Sequence, residues 1–130
     1  MADTVTSTVL ENGPKWYKIH LMNQSDGTGE SAVTKIDLSA ITGNLADKTL
    51  QSLSLIEVAG SVSSGYVQLL WDATTDDEMY NCIGDFSIYF DGGLHDPKST
   101  GYTGDVKLTT SGFASGDSYD ITLLFRKKYA

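Results

Sequence analysis

A chain of 130 residues fits one domain and buries roughly two-thirds of its unfolded surface, enough for a core without disulfide or metal staples. Pro occurs twice against 13 Gly, 14 Ser and 14 Thr, a mix that suits short strands joined by tight turns and disfavours long helices, while 40% hydrophobic residues exclude a wholly disordered chain. Net charge is −8, with one Arg and no basic stripe beyond Arg126-Lys127-Lys128, which excludes free nucleic acid as the main partner and reads as a device for solubility.

Taken in chain order, period-two alternation predicts strands. Residues 4–10 are rich in Thr and Val and stop at Glu11-Asn12-Gly13-Pro14. Residues 15–22 follow, with Tyr17, Ile19 and Leu21 forming the better core face and Trp16, Lys18 and His20 the other. Residues 23–29 read as a mobile turn, since Gly27 and Gly29 are free to take positive φ. A short strand over 33–38 puts Thr34, Ile36 and Leu38 on one face, and residues 39–48 fit either a helical turn or a loop.

The segment 49–59 places Leu53 and Leu55 on one side and Ile56 and Val58 on the other, which predicts a bulge or a strand covered on both faces. Residues 61–65 read as a turn, 66–71 as an apolar strand and 72–77 as an acidic loop. Residues 85–90 alternate Phe86, Ile88 and Phe90 against Ser87 and Tyr89, and a Gly-rich connection spans 91–104. A strand over 105–110, a turn over 111–117 and a last strand over 119–127 complete the chain, with Tyr119, Ile121, Leu123 and Phe125 in strict alternation. About eight or nine strands with no internal repeat or linker predict an all-β, single-domain antiparallel β-sandwich or jelly roll over residues 1–130.

Sites for chemistry are sparse. Asp26-Gly27-Thr28-Gly29-Glu30-Ser31 lacks the Lys of a phosphate loop and the third Gly of a dinucleotide fingerprint, and no Gly-x-Ser-x-Gly elbow is found. The two histidines, His20 and His95, have no His or Cys at metal-ligand spacing; His20 is expected to face solvent or a partner. Asp72, Asp76, Asp77 and Glu78, with Asp91 and Asp96, are dense enough in oxygen for Ca²⁺, yet the EF-hand order is missing and solvated turns account for them. The expectation is therefore no catalytic residue, no cofactor site and no metal site, with melting insensitive to EDTA. Cys82 is alone, without basic neighbours, and reads as a small core residue. The N-terminus lacks the basic start and apolar run of a secretory signal, Asn23-Gln24-Ser25 is accordingly not a glycosylation site, and no stretch approaches about 20 apolar residues, so no membrane is expected.

Aromatics make up 10% of the chain, and in the pairs Trp16/Tyr17 and Tyr89/Phe90 one ring of each must face outward unless a covering loop hides it. Trp16 or Trp71 beside the acidic loops would suit sugar stacking.

Several blocks carry a resemblance together: Val5-Thr6-Ser7-Thr8-Val9-Leu10, Ser25-Asp26-Gly27-Thr28-Gly29-Glu30-Ser31-Ala32-Val33-Thr34-Lys35 and Leu70-Trp71-Asp72-Ala73-Thr74-Thr75. They continue in Asp91-Gly92-Gly93-Leu94, Thr103-Gly104-Asp105-Val106-Lys107-Leu108-Thr109-Thr110 and Gly116-Asp117-Ser118-Tyr119-Asp120-Ile121. In this order they resemble small β-rich structural proteins of tailed bacteriophages. The resemblance implies a non-enzymatic virion component, made in the host bacterial cytoplasm: a capsid decoration or cement protein, or a tail or neck component. The partners it implies are other virion proteins, the major capsid protein first, and further copies of the chain. A carbohydrate-binding module for host attachment is the rival reading. The last strand and its basic end, residues 119–128, are expected to serve assembly if they lie at a sheet edge, or to blunt that edge with Lys.

Overall fold

A computed structural model describes residues 4–129; Met1 to Asp3, part of the stretch expected to lack a secretory signal, and Ala130 lie outside them. Among the described residues nine strands form: β1 (Thr4–Asn12), β2 (Trp16–Asp26), β3 (Val33–Ile36), β4 (Leu50–Val62), β5 (Tyr66–Trp71), β6 (Asp77–Cys82), β7 (Asp85–His95), β8 (Val106–Ser111) and β9 (Ser115–Tyr129), with one 3-10 turn at Leu38–Ala40. They build two antiparallel sheets, β1-β2-β9-β4-β7 and β3-β8-β5-β6.

The pairing has a nested order. β2 pairs with β9, β3 with β8, β4 with β7 and β5 with β6, so the chain from β2 onward is one long hairpin whose two arms roll up together. The roll closes where β9 also pairs with β4 and β8 with β5. This is the jelly roll, with β1 added outside β2 as an extra edge strand.

Alternation decides the inner faces. Tyr17, Ile19 and Leu21 of β2 and Tyr119, Ile121, Leu123 and Phe125 of β9 are buried against Val67, Leu69 and Trp71 of β5 and Val106 and Leu108 of β8. Trp71 meets Phe125 edge-on across the sheets at 6.3 Å between ring centroids, a favoured aromatic geometry. Each fully buried Leu, Ile or Phe contributes about 1.5–3 kcal/mol of transfer free energy. The side switch in β4 is a bulge: its register slips between Leu55 and Glu57 against both β7 and β9. Gly60 pairs with Ile121 of β9 so closely that a Cβ would sit 1.9 Å from the Asp120 carbonyl oxygen.

Several boundaries differ from the sequence expectation. Residues 23–26 extend β2 rather than turning, because Asn23 and Ser25 continue its inward face and are buried. β6 occupies 77–82, where no strand was expected; its polar Asp77, Glu78 and Asn81 mask an inward Met79 and Cys82. β7 runs on to His95, so the Gly-rich connection is shorter than expected. β3 stops at Ile36, short of the expected Leu38, and of the ambiguous stretch 39–48 only Ser39 and Ala40 fall in a helical turn, which Leu38 opens. β9 is central, between β2 and β4, and not an edge.

Candidate functional site

The edge strand β1 is the surface that the fold leaves least covered. The first sheet has five strands and the second four, and the surplus falls at β1. Val5 and Val9 pair in register with the inward Asn23 and Ile19, so they point to the core side, yet they are 42% and 48% exposed. Leu10, at a register shift between Val9 and Glu11, is 54% exposed. Among the described residues β1 pairs with β2 alone, which leaves its far row of N–H and C=O groups open to another strand. Glu11 is its only charged residue.

The outer face of the same sheet is graded in charge. Trp16 and Arg126 are cross-strand partners, Lys18 faces Leu124, and Lys128 lies beside Ser52. With Lys15, whose Nζ sits 5.2 Å over the Trp16 ring, they gather cations at one end, where Glu11 of β1 is the cross-strand partner of Lys18. The other end carries Asp85 and Asp120, the latter accepting from His20 Nε2 at 2.6 Å. Tyr89 stands out from β7 at 67% exposure. Trp16 and Tyr89 are thus the outward members of their pairs, whereas Trp71 is 1% exposed in the core and offers no ring for sugar stacking.

His95 closes β7, and its Nδ1 lies 2.6 Å from Ser54 Oγ on β4. Among the described residues His95 has no carboxylate partner to orient it, and Ser54 is 1% exposed. The contact joins two strands; nucleophilic chemistry needs a base held by a third group and an accessible hydroxyl. Cys82 is fully buried, and burial pushes its thiol up to about 12, far from the reactive thiolate range.

Three polar clusters order the loops. Glu30 and Lys35 form an ion pair with side chains only 6% and 4% exposed; Glu30 Oε1 also accepts from Asn23 Nδ2 at 2.6 Å and from the Tyr119 hydroxyl at 2.7 Å. Lys127 Nζ, on a residue 4% exposed, donates to Asn12 Oδ1, Thr42 O and Asn44 Oδ1 at 2.8, 2.9 and 2.8 Å. Three acceptors call for three N–H donors, the inventory of an ammonium group, although burial holds its pKa below the usual lysine value. In the third cluster Lys107 Nζ sits 2.6 Å from Asp72 and 3.4 Å from Asp76. Hydrogen bonds from Lys107 and Thr103 hold the Asp72 carboxyl below its ordinary value.

Sequence reasoning passed over the inward turn of Lys127 and the burial of Glu30, Lys35 and Asp96. For Lys127 the signal existed, since it continues the alternation of Leu123 and Phe125. Of the acids first considered for Ca²⁺, Asp72 and Asp76 are engaged by Lys107, and Asp91 is exposed on β7. Among the described residues no three His, Cys, Asp or Glu side chains gather as a metal-ligand group, and no helix is long and apolar enough to cross a membrane. The fold defines the class as an all-β jelly-roll sandwich. Comparison with protein-family models, curated proteins and solved structures finds no match to the chain.

Proposed function

We propose that the chain is a non-enzymatic virion structural protein of a tailed phage, specifically a capsid decoration or cement protein that packs in many copies on the major capsid protein of the head shell. The observation that carries this reading is β1: an open edge with one charged residue, an uncovered apolar underside at Val5 and Val9, and an exposed Leu10 at the register shift. A neighbouring strand can extend such an edge and bury those side chains, and the protein then reaches the virion from the host cytoplasm as one unit of a repeated, homo-oligomeric array. The chain-wide resemblance to phage structural proteins supports it, as does the jelly roll, an architecture used by viral capsid domains. That second support is an analogy of fold, since fold alone does not fix function.

Carbohydrate binding for host attachment is the second reading, favoured by the outward Trp16 under Lys15 and the exposed Tyr89; lectins share the jelly roll. A tail or neck position remains within the first reading and differs in copy number. The test is whether the chain co-purifies with particles of the phage that encodes it, at shell-like stoichiometry. Binding of the isolated chain to glycans, lost in Trp16→Ala, would favour the second reading instead.

A further inference from the structure

We propose that β1 pairs with β1 of a second copy of this chain, antiparallel about a two-fold axis at Ser7, so that two sandwiches share one continuous sheet. Val5-Thr6-Ser7-Thr8-Val9 reads the same in both directions. A two-fold pair sets residues equally far from the axis opposite one another, so this order matches like with like. Centred on Ser7, the pair puts Val5 against Val9 of the second copy and Thr6 against Thr8. Opposed side chains share a face of the sheet, and a shift by two residues either way sets Val5 or Val9 against Ser7 instead.

Both faces of the strand gain contacts. Val5 and Val9 lie on the core side, in register with Asn23 and Ile19 of β2, yet are exposed; in the pair each covers a Val of the other copy. On the outer face Thr6 and Thr8, in register with Met22 and His20, make Thr–Thr contacts, a favourable cross-strand pairing. The register shift between Val9 and Glu11 ends the ladder short of Glu11, the one charge of β1, so no charge is buried. The strand also lacks the Lys and Pro with which open edges are blunted.

Charge favours the antiparallel sense. Lys15, Lys18, Arg126 and Lys128 stand toward the Asn12 end of β1, and Asp120 and Asp85 toward its Thr4 end. An antiparallel neighbour turns its acidic end to the cationic end of the first copy. Strands lie between these groups and salt screens them, so the field orients the copies rather than holding them. The ladder falls well short of the about 800 Å² per partner of a standard interface, so the free chain forms a weak dimer that grows with concentration. The inference deepens the virion reading and rests on it for the role of this edge, naming a second copy as what covers it.

The experiment places single cysteines in the full chain and oxidises with diamide, the wild type serving as the blank because Cys82 is buried. Opposed residues of an antiparallel pair bring their Cα atoms to about 4.5–5.5 Å, within disulfide reach. Ser7→Cys is expected to crosslink with itself about tenfold faster than Ser64→Cys in the exposed β4–β5 turn. A mixture of Val5→Cys and Val9→Cys gives mainly the mixed dimer, since Val5 lies roughly 13 Å from Val5 of the second copy in this register. Sedimentation equilibrium of the wild type, from roughly 10 µM to 1 mM, shows a mass rising toward a dimer and no further, while Val5→Lys with Val9→Lys stays monomeric. Ser7→Cys no faster than Ser64→Cys would overturn the proposal, as would Val5→Cys joining itself as readily as Val9→Cys, or a wild type still monomeric at the highest concentration. If these fail while the chain is found in virions, the pairing falls and the virion reading stands with another partner at β1. Crosslinks as expected from a chain absent from virions keep the pairing and remove the virion reading.

Discussion

Lys127 illustrates how a single buried charge is made tolerable. The ammonium loses water as β9 packs inward, and burial lowers its pKa, but Asn12, Thr42 and Asn44 meet all its donors. It thereby ties the β1–β2 turn, the loop after the 3-10 turn and β9 together. Lys127→Met keeps much of the volume but strands three oxygens, so we expect a loss of about 2–4 kcal/mol in urea unfolding; an unchanged midpoint would show that the cluster contributes nothing. Asp96 is the opposite case, a buried carboxyl whose pKa is raised by burial and by Asp77 and Asp72, against the Lys98 N–H and charge. The native state then binds its proton more tightly than the unfolded chain, whose Asp titrates near about 3.9. Its share of stability is present at low pH and lost as pH rises from there through the raised native value. Asp72 has the reverse sign: its pKa is lowered by Lys107 and Thr103, so its share is present above the unfolded value and lost as pH falls through the native one. In EDTA, unfolding midpoints from pH 4 to 7 should therefore fall less in Asp96→Asn than in the wild type. Parallel profiles would remove Asp96 from the account.

At the scale of elements, period two was read most directly where a run of inward residues is large and apolar. Tyr17-Ile19-Leu21 and Tyr119-Ile121-Leu123-Phe125 announce β2 and β9 directly, and the side switch from Leu55 to Ile56 announces the β4 bulge. The same period failed to register where the inward positions are polar: Asn23 and Ser25 continue β2 but look like turn, and Lys127, within the expected last strand, does not look like an inward residue. β6 was missed because Asp77 and Glu78 read as loop. Position within a sheet is a different kind of information. Nothing in the clean alternation of β9 says that it lies between β2 and β4, because strand order is set by the rolling of the whole hairpin. The edge fell instead to β1, with its Thr and Val content and one Glu, and our proposal moves the assembly role expected of the C-terminal strand to it. Val5→Lys with Val9→Lys places charges on the uncovered underside without touching the core. We expect this double variant to melt within a few degrees of wild type and to be lost from particles; retention at full occupancy would show that β1 makes no contact there.

The whole molecule is a jelly roll, and the function we propose for it lies on its surface, which is why so little of that function was legible. Composition and alternation lead to an all-β sandwich, because burial of alternate side chains follows from sequence with few competing solutions. The candidate surface depends on which strand overhangs, and that does not follow from local pattern. The basic triplet at the C-terminus shows the same limit, since Arg126 and Lys128 lie on the outer face while Lys127 is internal. What remains is the claim that this sandwich is a repeated part of a particle. Absolute quantitation by mass spectrometry of gradient-purified virions, from the phage that encodes the chain, tests it most directly. The account predicts the chain in fixed ratio to the major capsid protein, at a copy number that scales with the shell; its absence from purified particles, or recovery only in the soluble lysate, would contradict it.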